Sequence, residues 1–109
     1  MKSLLNKSIR TKLRELADIA HDRELGQHLS VLDEEFGSWK NGNISPHDLS
    51  DRIHEFHDGP SRDVWLFYDR FKTDIIVARA LNEGLIAESE VPEEVRNAIA
   101  SQIDLFRSE

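Results

Sequence analysis

The chain contains no cysteine. Disulfides, thiolate metal sites and a cysteine nucleophile are therefore excluded. No apolar run approaches the roughly 18 residues of a membrane span, so no membrane partner is expected. The opening MKSLLNKSIR lacks the long apolar core and small-residue cleavage site of a secretory signal, and the expected setting is the cytoplasm. Repeats, low-complexity tracts and linkers are absent. No segment alternates β-branched and polar residues with the two-residue period of a strand. The P-loop, GxGxxG, GxSxG and HExxH signatures are all missing; HEFH at residues 54–57 sets its histidines three apart instead of four.

What is present is one domain's worth of chain. Its 109 residues are 39% hydrophobic and 32% charged, a balance that folds into a single core over residues 1–109. Acids outnumber bases 21 to 14, for a formal charge of −7. Such a chain is repelled by phosphate backbones, and no nucleic-acid partner is expected. The charge is uneven, however. Lys2, Lys7, Arg10, Lys12 and Arg14 fall within the first 14 residues, which hold no acid. Cations at a helix start oppose the macrodipole by a few tenths of a kcal/mol each. The acidic body of the same chain, or of a second copy, would compensate them.

The apolar spacing is helical throughout. Leu5, Ile9, Leu13, Leu16 and Ala20 form one stripe, and Leu25, Leu29, Leu32, Phe36 and Trp39 a second. The step of five from Ala20 to Leu25 turns the apolar face by about 140°, which predicts two helices meeting near His21–Glu24. Asn41-Gly42-Asn43 is a stop signal, and Ser45-Pro46-His47-Asp48 a capped start. Asp58-Gly59-Pro60 predicts another stop, with Ser61 as the next cap. Residues 74–83 are apolar on nearly every side and should form the central helix, closed by Gly84 with Leu85 and Ile86 folded over its end. The last helix opens at Pro92. The expected fold is all-α, a compact bundle of five to six short helices near 3–21, 23–40, 46–57, 61–71, 74–83 and 92–107, without a sheet.

Three constellations bear on chemistry. His47, Asp51, His54 and Asp58 recur at i, i+4, i+7, i+11 and share one helix face opposite Leu49, Ile53 and Phe56. Imidazole and carboxylate at one-turn spacing are ligands for zinc, nickel or manganese, given a third ligand from elsewhere; otherwise this is a solvated polar face. Gly59-Pro60-Ser61-Arg62 reads as an anion seat at a helix start or, more simply, as a cap. Trp65 and Leu66 lie off the main face formed by Val64, Phe67, Tyr68 and Phe71, so they meet either a second layer of the same fold or a partner. Gly37–Asp48 shares the Gly and Asp of a calcium loop at Gly42 and Asp48. Gly37 and Trp39 stand where its first carboxylates are needed, so no calcium is expected.

The run Trp39–Arg62, WKNGNISPHDLSDRIHEFHDGPSR, resembles a group of small uncharacterised bacterial all-helical proteins with a W-x-x-G-x-I…L-x-D-x-I-H-x-F-H-x-G segment. The resemblance implies a bacterial, cytosolic setting and no mechanism. The expected function is a non-catalytic protein-interaction or regulatory module, working as a homodimer or with a protein partner and without a cofactor. The alternative is a metal-binding protein or metal-dependent hydrolase built on His47, Asp51, His54 and Asp58, with a divalent transition metal.

Overall fold

A computed structural model describes residues 6–108. The expected start of the first helix at residue 3, with Lys2 and Leu5, lies outside them. The fold is all-helical, and among the described residues there is no strand. The elements are α1 (Lys7–Lys40), α2 (Pro46–Phe56), a π turn (His57–Ser61), α3 (Arg62–Arg70), α4 (Thr73–Glu83), a 3-10 turn (Glu88–Glu90), α5 (Glu93–Ala98) and α6 (Ala100–Arg107).

Three helix boundaries differ from the sequence expectation. First, the two N-terminal helices are one. α1 runs unbroken for 34 residues, about 51 Å at 1.5 Å per residue, and sets the long axis of a 61 × 27 × 25 Å molecule. The five-residue step marks a change of partner, not a bend. Ile9, Leu13, Leu16, Ala17 and Ala20 are buried against α4 and the C-terminal helices. Beyond residue 24 the opposite side of α1 packs against α2, the π turn and α3. Second, Gly59-Pro60 does not end a helix. Phe56, His57, Ser61 and Arg62 all keep right-handed helical dihedrals, so residues 46–70 form one rod. Pro60 has no N–H to donate and would clash with the carbonyl one turn back; the widened π register opens that turn and carries the helix through. Third, the last helix breaks at Ile99 (φ −113°, ψ 20°), separating α5 from α6.

The turn grammar holds elsewhere. Gly42 (φ 78°) and Gly84 (φ 75°) take the left-handed conformation that suits glycine. Each closes its helix with paired Schellman bonds, Asn43 N–H to Ser38 C=O at 2.8 Å and Leu85 N–H to Ala80 C=O at 2.9 Å. Ser45 and Asp48 exchange reciprocal capping-box bonds of 3.0 Å. α4 is central, with Ile76, Val77, Ala78 and Ala80 buried between α1 and α6.

The molecule thus has a head and an arm. The head, α4 to α6 around the N-terminal half of α1, holds the contiguous core, capped by Leu85, Ile86 and Val91. The arm is the second half of α1 with the 46–70 rod laid antiparallel along it. In the rod only Leu49 and Val64 are buried. Two helices bury too little to be a core of their own, which is why the arm carries most of the exposed apolar side chains.

Candidate functional site

The residues that join arm to head cluster at the crossing of α1, α3 and α4. Glu24 accepts two hydrogen bonds from the Arg79 guanidinium, both 2.9 Å, and a third from the Tyr68 hydroxyl at 2.8 Å. The pair is largely buried, with side chains 12% and 21% exposed. Arg79 also reaches Glu83 at 3.2 Å and lies over the Phe67 ring, 4.1 Å from its centroid, a cation–π contact. His21 stacks on Tyr68 with centroids 4.3 Å apart. The charge-assisted bonds from Arg79 hold the Glu24 carboxyl below its usual range, and Glu24 raises Arg79 in return. Burial, then the bond to Glu24, pushes the Tyr68 phenol upward.

One residue earlier, Arg23 clasps the loop that follows α4. Its guanidinium donates to the Leu85 carbonyl at 2.8 Å and bidentately to Glu90 at 2.9 and 2.7 Å. Glu90 also accepts from the Ala87 N–H at 2.8 Å. Arg23 above all, with this backbone bond, lowers the Glu90 carboxyl to about 2. The four residues where the sequence suggested a break, His21 to Glu24, are therefore the fastening point of the fold. Sequence reading missed this cluster. Its one signal was Arg79, a charge in the middle of a largely apolar helix, which must find a partner on burial. The chemistry is structural: a phenol held in its protonated form is a poor base or nucleophile, and Glu24 is saturated by three donors.

His47, Asp51, His54 and Asp58 do share one face, on α2 and the π turn, and all four are exposed. They stand in a row along the helix axis, three or four residues apart, so successive members are separated by about 4.5–6 Å of rise. Nothing packs over them. Among the described residues no three His, Cys, Asp or Glu side chains are placed to hold a metal ion. His21 and His28 do not complete the set: His21 is stacked on Tyr68, and His28 lines a different groove. The expected cap and anion seat at Gly59–Arg62 are both overturned. The helix is continuous there, and Ser61 makes no side-chain capping bond.

The arm surface has two hollows. Between α1 and the rod lies a groove of about 580 Å³ lined by His28, Val31, Leu32, Phe56 and Pro60, crossed by the Arg52–Glu35 ion pair at 2.7 Å. On the outer face His57, Asp58, Ser61, Arg62 and Trp65 surround a second, of about 330 Å³. Trp65 is 60% exposed and Leu66 half-buried, so Trp65 has no second layer of its own fold over it. Leu29, Val31, Trp39 and Ile53 are also exposed on the arm. No helix among the described residues is long and apolar enough to cross a membrane. No known protein family, curated protein or solved structure matches this chain.

Proposed function

We propose that this chain is a non-catalytic protein-interaction module, with a regulatory role, that associates with a second copy of itself through its arm. The observation that carries this reading is the concentration of unburied apolar side chains there: Leu29, Val31, Trp39, Ile53 and Trp65 all stand on α1 beyond residue 28 or on the rod. Large apolar side chains left exposed in this number on one part of a small fold are the usual mark of a protein-binding region. The strongly bonded polar groups, Glu24, Arg79 and Tyr68, serve the fold. The resemblance of residues 39–62 supports a bacterial, cytoplasmic setting.

Light scattering after size exclusion tests the reading. Micromolar protein is expected at twice the 12.6 kDa chain mass. Trp65→Ala and Leu66→Asp should weaken the dimer, while His47→Ala, near the arm tip, should not. A mass of 12.6 kDa at every concentration would overturn self-association.

A further inference from the structure

We infer that the two copies associate head to tail, each seating the outer face of its 46–70 rod on the basic start of the other's α1. The inference rests on the self-association proposed above and specifies its geometry. It starts from helix periodicity. Lys7 and Leu25 are 18 residues apart, as are Arg14 and Leu32. Eighteen residues are about five full turns, so these pairs point the same way from α1. Leu32 lines the groove between α1 and the rod, and Leu25 lies two turns earlier on the same side of α1. Lys7 and Arg14 therefore point to the side of α1 on which the rod lies, but past its end, where the rod has stopped at Arg70. Both are exposed.

The place where the rod stops is a step. Its wall is Phe71, 50% exposed. Arg14, Asp18, His21, Tyr68, Phe71 and Thr73 line a hollow of about 270 Å³ at its foot. Arg70 and Lys72 flank Phe71 in sequence and are exposed, while Asp18 is the one carboxylate lining the hollow. The step is thus cationic with an aromatic wall. Residues 7–14 carry four bases and no acid.

The rod presents the opposite character. Residues 46–70 hold six acidic residues against three basic ones, and Arg52 is already paired with Glu35. On the face turned away from α1 stand Asp51 and Asp58, with Arg62 and Trp65 beside Asp58, all exposed. Basic step and acidic rod lie side by side along one unbroken helix, so the rod of a chain cannot fold back into its own step. A second copy, turned by a two-fold axis across α1, brings rod to step and step to rod in one operation. The contact is then made twice and closes on itself without growing into a filament. Pairing rod face on rod face instead would oppose two acidic surfaces, which like-charge repulsion disfavours. Asp51 and Asp58 on the rod and Lys7 and Arg14 at the start of α1, all four exposed, are on this reading two halves of one interface.

A charge-swap experiment decides it. One variant carries Lys7→Glu and Arg14→Glu; a second carries Asp51→Lys and Asp58→Lys. Circular dichroism should show native helix in both, because all four positions are exposed. Each variant alone is expected at the single-chain mass of 12.6 kDa. An equimolar mixture should recover the doubled mass, since a mixed dimer pairs the reversed step with the reversed rod and the native step with the native rod. Asp58→Asn, which only removes a charge, should weaken the wild-type dimer in the same direction. Raising salt from about 0.05 to 0.5 M should loosen the wild-type dimer about tenfold, because its charges sit at a solvent-accessible rim. A wild-type dimer whose mass withstands both double variants, or variants that stay single when mixed, would overturn the head-to-tail arrangement and leave self-association standing. A wild-type chain that is monomeric throughout would overturn both.

Discussion

Glu24→Ala tests whether the junction of head and arm stabilises the fold as its geometry demands. The substitution removes three hydrogen bonds at once and leaves the Arg79 guanidinium and the Tyr68 hydroxyl without their acceptor. Removing one partner of a buried ion pair costs about 3–5 kcal/mol. Here the figure is reduced, because Arg79 keeps Glu83 at 3.2 Å and the Phe67 ring at 4.1 Å. The expected loss is about 2–4 kcal/mol. At about 4–8 °C per kcal/mol for a domain near this size, Tm should fall by roughly 10–30 °C. Urea denaturation followed by far-UV circular dichroism measures the loss directly, and an unchanged m-value confirms that the unfolding transition is the same one. A double-mutant cycle with Arg79→Met then isolates the pair, with a coupling energy of about 1–3 kcal/mol expected. Glu24→Gln, which keeps one acceptor oxygen, should lose about half as much as Glu24→Ala. A loss below about 1 kcal/mol for Glu24→Ala, or a coupling near zero, would show that the head and arm are held by apolar packing alone.

Two further outcomes follow from the same groups. Glu24 and Glu90 both have folded-state carboxyls lowered from their ordinary 4.5, so each contributes stability that is present above pH 4.5 and lost as pH falls through its lowered value, which for Glu90 is about 2. Urea midpoints measured from pH 7 down to pH 3 should decline below pH 4.5, more steeply in the wild type than in Glu24→Gln; parallel curves would contradict this. Tyr68 is the single tyrosine of the chain, so tyrosinate absorbance reports on it alone. Burial and the bond to Glu24 raise its pKa above 10, so it favours the fold below pH 10 and that support is lost as pH climbs through the raised value. Native protein should show no tyrosinate near pH 10 and Glu24→Ala should show it earlier, whereas an ordinary titration in the wild type would refute the bond.

Local sequence determined the helices and their punctuation. Asn41-Gly42, Ser45-Pro46 and Gly84-Leu85 act within a few residues, through steric freedom and backbone hydrogen bonds that need no distant partner, and each does in the structure what its residues imply. The 74–83 segment, apolar on nearly every side, had to be central because a helix with so narrow a polar side is stable only when it is covered. Continuity was a different matter. A five-residue step at Ala20–Leu25 is equally compatible with a bend and with a straight helix that changes partners, because periodicity records which side is buried and not what buries it. Gly59-Pro60 is equally compatible with a stop and with a π turn, and packing of the rod along α1 chose the second. The polar fastening at Glu24, Arg79 and Tyr68 joins positions 44 and 55 residues apart. No local pattern encodes such a meeting. The Asp and His row shows the same division: spacing placed His47, Asp51, His54 and Asp58 on one face, but only the tertiary arrangement decided that this face is exposed, since what a helix face meets depends on what folds opposite it.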